Sequence, residues 1–161
     1  MNLVERAGWS IWLQPLQDEA KPFEWLGSGF NETSPRFSPD GRWIAYESDE
    51  SGEAEIYAAL TDGGGGKRRI SPSGGKRPRW RRDGKELYFI AAGGVLTAIP
   101  VASGPALDVG APVPLFRVEP DIENYDVVPD GSRFLVSTPA QQVRESPIRV
   151  IVNWPAALAK D

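Results

Sequence analysis

Histidine and cysteine are both missing from the 161 residues. Without histidine there is no Ser-His-Asp triad, no H-E-x-x-H zinc motif and no imidazole ligand cluster. Without cysteine there is no disulfide, no thiolate nucleophile and no thiolate metal site. Nor does any serine sit in G-x-S-x-G, the sharp turn that exposes a hydrolase nucleophile. Catalysis by this chain is therefore not expected, and no metal or cofactor is called for. No apolar run approaches the roughly 20 residues of a membrane span. Met1 to Arg6 lacks the charged start, apolar middle and cleavage site of an export signal, so the chain read alone predicts a cytosolic protein.

Turn formers, by contrast, are plentiful. Glycine (17) and proline (15) make up about a fifth of the chain, and 16 aromatic residues intervene, which suits a turn-dense, packed fold better than disorder. One turn recurs with its surroundings: Phe37-Ser38-Pro39-Asp40-Gly41-Arg42-Trp43, Trp80-Arg81-Arg82-Asp83-Gly84-Lys85-Glu86 and Val127-Val128-Pro129-Asp130-Gly131-Ser132-Arg133. The Asp-to-Asp steps are 43 and 47 residues, close to the roughly 40–45 of a four-stranded propeller blade. The chemistry is that of a tight reversal. Gly41, Gly84 and Gly131 enter positive φ without a Cβ clash, while Asp40, Asp83 and Asp130 bond their own backbone two residues on.

Strand formers follow every turn: Trp43-Ile44-Ala45-Tyr46, Leu87-Tyr88-Phe89-Ile90 and Phe134-Leu135-Val136. Their apolar runs are continuous rather than alternating, as expected when stacked blades cover both faces. A third strand is predicted at 55–60, 95–101 and 148–152, and 10–16 reads as another copy of it. Short fourth strands are predicted at 23–26, 67–70 and 113–118, where proline suits an edge. The expected organisation is the end of an incomplete blade (1–30), whole blades at 31–74 and 76–119, three strands of a last blade at 122–153, and a tail at 154–161. The fold class is all-β, a partial β-propeller of about three four-stranded antiparallel blades. Closed propellers have about four to eight, so further blades or a second copy are expected to cover the open ends.

Charge is unevenly spread. Between Lys67 and Lys85 nine cations face one anion, Asp83, although the whole chain carries −4. Arg79 and Arg81 flank Trp80 on a strand expected to line the channel. Guanidinium groups beside an indole suit an anionic or aromatic ligand, so Arg79, Trp80 and Arg81 are the candidate binding residues for a small anion or a protein. The competing expectation is a solvated loop whose cations meet the acidic loop Glu47–Glu55 of a neighbouring repeat. Nucleic acid is not expected from an acidic chain of pI about 5.0. Asp40, Asp83 and Asp130 sit a blade apart at equivalent turns and read as structural rather than as a catalytic carboxylate pair. The Gly63-Gly64-Gly65-Gly66-Lys67 run is followed by Arg68 instead of Ser or Thr, fails as a phosphate loop, and reads as a flexible connection.

The stretch Pro35-Arg36-Phe37-Ser38-Pro39-Asp40-Gly41-Arg42-Trp43-Ile44-Ala45-Tyr46 resembles the WD40-like PD40 repeat of TolB-type propellers. Ile11-Trp12-Leu13-Gln14-Pro15-Leu16, Asn31-Glu32, Ser51-Gly52-Glu53-Ala54-Glu55-Ile56-Tyr57 and Val152-Asn153-Trp154 are most similar to the C-terminal propeller of bacterial eukaryotic-like serine/threonine kinases. That resemblance implies a six-bladed parent, a non-catalytic sensing or binding module, and an extracytoplasmic position if the parent is membrane-anchored. Kinase motifs are absent: there is no H-R-D and no D-F-G. Two alternatives stand beside it, the gating propeller of an S9-type serine peptidase whose hydrolase domain lies elsewhere, and a TolB-like periplasmic interaction protein.

Overall fold

A computed structural model describes residues 8–16, 20–63, 65–118, 122 and 124–137. The described residues hold no helix and thirteen strands. A first hairpin pairs β1 (Ile11–Leu13) with β2 (Phe23–Leu26). The first blade is a four-stranded antiparallel sheet of β3 (Thr33–Phe37), β4 (Trp43–Ser48), β5 (Glu55–Leu60) and β6 (Arg68–Arg69), in that order. The second blade runs β7 (Gly75–Trp80), β8 (Glu86–Ala91) and β9 (Val95–Ser103). β10 (Leu107–Val109) and β11 (Val113–Arg117) then pair successive stretches of β9. A last hairpin joins β12 (Asn124–Val127) to β13 (Phe134–Ser137). The strand expected at 148–152 and the tail at 154–161 lie outside the described residues.

Each of the three repeated turns is a tight reversal. In the three repeated turns the glycine N–H closes onto the carbonyl three residues back, Gly41 to Ser38, Gly84 to Arg81 and Gly131 to Val128, at 2.9 Å each. All three glycines are left-handed, with φ of 70°, 71° and 76°. The aspartates accept from the N–H two residues on: Arg42 to Asp40 at 3.1 Å, Lys85 to Asp83 at 3.0 Å and Ser132 to Asp130 at 2.9 Å.

Continuous apolar runs exist because each blade serves two neighbours. On β4, Trp43 and Ala45 pack with Leu87 and Phe89 of the second blade, while Ile44 and Tyr46 pack with Ile11 and Trp25 of the first hairpin. On β8, Leu87 and Phe89 face the first blade, and Tyr88 and Ile90 join Ile122 and Tyr125 on the opposite side. Full burial of one such side chain stabilises by about 1.5–3 kcal/mol. At the two ends the alternation runs out: Trp12 is 57% exposed and Leu135 75%.

Two features depart from the expected strands. The fourth position of the second blade is split, because β9 extends to Ser103 and turns through Gly104 into β10 before β11 begins. Prolines also occupy the opposite edge: Pro35 and Pro78 lie in β3 and β7, which pair on one side only and so lose no ladder bond. No helix of the described residues is long and apolar enough to cross a membrane.

Candidate functional site

β3, β7 and β12 are the first strands of successive repeats, and β7 touches both β3 and β12. β3 and β7 carry the same distortion. Ser34 and Arg77, 43 residues apart, are left-handed at φ 54° and 56°, and the pairing with the next strand slips there in both sheets. A non-glycine residue in this region costs about 1–3 kcal/mol and persists only where its surroundings hold it. At Arg77 those surroundings are visible. Its N–H donates to Glu47 Oε1 of the first blade at 2.8 Å, its carbonyl accepts from the Tyr125 hydroxyl at 2.7 Å, and its guanidinium donates to the carbonyl of Ile122.

Two residues beyond each bulge stands an arginine, Arg36 on β3 and Arg79 on β7. Both fold back onto the carbonyl of the preceding proline, at 2.7 and 2.9 Å. Arg79 also donates to Asn124 Oδ1 at 2.8 Å and lies over the Tyr125 ring, 5.6 Å from its centroid. Burial first, and then the neighbouring Arg36 charge, hold its guanidinium below the ordinary value, with Tyr125 and Asp126 offsetting part of this. Tyr125 is pushed up, chiefly by burial. Among the described residues neither Arg36 nor Arg79 joins an ion pair.

The three candidate residues do not converge on one spot. Trp80 turns toward the first blade, where its indole N–H donates to the Arg36 carbonyl at 3.1 Å. Arg81 is engaged inside its own blade, forked onto both oxygens of Asp83 at 2.7 and 2.8 Å and reaching Glu86 at 2.8 Å. Glu86 in turn accepts from the Tyr88 hydroxyl at 2.7 Å. Among the described residues, Arg79 is the one of the three that lies near a second cation without an ion pair, Arg36. Sequence reading missed Arg36 and Arg77, although their equivalence to Arg79 and Ser34 was available from the repeat register.

Among the described residues the ion pairs between the acidic loop and the basic segment form within one blade, and between repeats Glu47 meets the Arg77 N–H. Lys67 pairs with Glu50 and sits 4.9 Å from the centre of the Tyr57 ring, and Arg69 lies 4.0 Å from Glu55. The exposed Lys67–Glu50 pair is worth about 0–1 kcal/mol, whereas Glu55 is buried.

The turn aspartates do more than close their own turns. Asp40 accepts from Ser38 at 2.5 Å and from Ser103 of the second blade at 2.8 Å, while Arg42 donates to the Gly104 carbonyl at 3.0 Å. A rim cleft of about 650 Å³ lies beside this contact, with Asp40, Trp80, Asp83, Lys85 and Ser103 among its walls. The Arg81 fork, followed by the Lys85 N–H, lowers the Asp83 carboxyl from 3.8 to about 2. Its folded-state pKa lies below the unfolded one. Asp83 therefore stabilises the fold above about pH 4, and that contribution disappears as the pH falls toward 2. The thermal midpoint of Asp83→Asn, followed from pH 5 to pH 2 by circular dichroism, should start lower and fall less steeply than that of the parent.

Stacked antiparallel blades with repeated inner-edge strands define a TolB-type β-propeller fold. TolB from Acinetobacter baumannii superposes with a TM-score of 0.61 at 23% identity, over 82% of this chain and 33% of that one. The chain is 37% identical over 65 residues, 39% of its length, to a protein of Bacillus subtilis named uncharacterized peptidase YuxL. It is 30% identical over 105 residues, 60% of its length, to tricorn protease homolog 1 of Streptomyces coelicolor. It spans about a tenth of the length of each of these two relatives. No protein-family model matches it.

Proposed function

We propose that this chain is a non-catalytic binding module, a set of propeller blades within a larger protein, and that its inner strands receive an acidic group of a protein or small ligand. The observation that carries this reading is the pair Arg36 and Arg79. They stand at the same position of adjacent strands, each beside a strained bulge, and the nearer-buried charge is destabilised by burial and by its neighbour. Bulges beside functional sites re-aim side chains, and an incoming carboxylate or phosphate would relieve the repulsion between the two guanidiniums. Further blades, or a second copy, would cover the outward faces marked by Trp12 and Leu135.

Two parent architectures remain proposals. The kinase-type parent is supported by the residues that resemble kinase-associated propellers. A peptidase-type parent is favoured by the names of the two curated relatives, with catalytic groups supplied outside this chain. Neither assigns chemistry to the residues described.

Binding is tested with a fluorescein-labelled hexaglutamate peptide followed by anisotropy. Charge-assisted hydrogen bonds contribute about 1.5–3 kcal/mol each, so Arg79→Ala and Arg36→Ala should each weaken binding by about tenfold or more. Arg81→Ala, already satisfied by Asp83 and Glu86, should have a smaller effect. Equal affinity of the Arg36→Ala/Arg79→Ala double variant and the parent would sink the proposal, as would no binding by the parent at low salt.

A further inference from the structure

Between the first hairpin and the first blade lies a buried acid with nothing opposite part of it. Glu32 is 2% exposed. The Ser28 hydroxyl donates to its Oε1, and its N–H donates to the Trp9 carbonyl at 2.9 Å, but Oε2 is buried without a hydrogen-bond partner among the described residues. Glu32 lines a cavity of about 100 Å³, with Glu24 and Ser10 on its walls. Glycines hold the walls close: a Cβ at Gly8 would collide with the Phe30 carbonyl oxygen, and one at Gly27 with the Glu24 carboxylate. Nearby, the Tyr46 hydroxyl is also buried and, among the described residues, unpartnered. Burial pushes that hydroxyl up, and the negative charges of Glu50 and Glu32 push it further.

We infer that this cavity is a calcium-type divalent cation site, with Glu32 as a direct carboxylate ligand and Glu24 as the second. The ligand chemistry follows from the donors present. The chain has no cysteine or histidine, and the carboxylates, hydroxyl and backbone carbonyls on the walls are oxygen donors, which suits hard cations and excludes sites built on thiolate or imidazole. Ca²⁺ accepts about six to eight oxygens in flexible geometry and takes backbone carbonyls and waters among them, whereas Mg²⁺ demands a near-ideal octahedron. No cluster of three acidic side chains occurs among the described residues, so carbonyls and waters must complete the shell. A bound ion would pin the 27–32 segment that joins β2 to β3, coupling hairpin to blade.

The test uses the full chain, freed of metal with a chelator and titrated with Tb³⁺. Trp9 lines the cavity, so excitation of tryptophan should give sensitised terbium emission that CaCl2 competes away. CaCl2 should also raise the thermal midpoint, and MgCl2 at the same concentration should raise it less. Glu32→Gln keeps the side-chain volume and removes the charge, and should weaken terbium binding at least tenfold; Glu53→Gln on an exposed loop should not. Absence of sensitised emission and of any calcium-dependent midpoint shift in the parent overturns the inference. So does equal binding by a folded Glu32→Gln. If that variant fails to fold, the titration of the parent decides alone.

Discussion

Phe89→Ala is expected to destabilise the chain by about 3–5 kcal/mol, the range found when a large buried aromatic is removed and its cavity stays partly open. Phe89 is 1% exposed at the middle of β8, on the face shared with Trp43, Ala45 and Ile56 of the preceding blade. Its loss opens the seam between two sheets, and neither sheet can collapse into the gap without breaking its own ladder. Leu135→Ala provides the contrast. That leucine is 75% exposed on the outward face of the last hairpin, so its truncation should stay within about 0.5 kcal/mol. Urea unfolding of both variants measures the difference, and similar losses at the two positions would refute the stacked arrangement.

Gly75→Ala is expected to be nearly as damaging, although it adds a single methyl group. A Cβ at Gly75 would stand 2.8 Å from Ile56 Cγ1 and from both Cβ and Oγ of Ser71. Ser71 is 1% exposed and cannot simply swing away, since its hydroxyl accepts from the Ile56 N–H at 2.8 Å and donates to the Glu55 carboxylate. Overpacking of this kind costs about 1–3 kcal/mol. Displacing the serine would add about 1–3 kcal/mol for the orphaned buried groups. Gly52→Ala, where no atom lies within 4 Å but φ is +93°, should show only backbone strain. Thermal denaturation of the two variants separates crowding from conformation.

The fold was legible because two independent periodicities agreed. The Asp-Gly turns fixed where each hairpin reverses, and Trp43-Ile44-Ala45-Tyr46 and Leu87-Tyr88-Phe89-Ile90 carried the two-sided burial of a sheet packed on both faces. β10 escaped notice because Gly104-Pro105 marks a loop equally well whether or not the chain turns back onto β9. The bulges at Ser34 and Arg77 left no trace either, since neither residue type favours positive φ. They are held by tertiary bonds such as Arg77 N–H to Glu47.

The site was less legible than the fold for a related reason. Net charge pointed to the segment Lys67–Lys85, but composition does not tell which cations are already answered. Arg81 is answered by Asp83 within its own turn and by Glu86 at the start of β8, and Lys67 by Glu50 from the loop after β4. Arg79 is left beside Arg36, a residue outside that segment and brought close by blade packing. The inter-blade role of Asp40 was hidden likewise, because Ser103 lies 63 positions away.

Face-to-face packing of consecutive repeats is the claim on which the binding surface and the stability predictions rest. A two-dimensional NOESY spectrum of the aromatic region tests it directly. Two of the ring pairs that cross the seams are Trp25 with Tyr46 at 5.7 Å between centroids, and Tyr88 with Phe134 at 5.0 Å, each edge to face. Cross-peaks within both pairs are the expected result, and a dispersed spectrum of folded protein lacking them would contradict the stack.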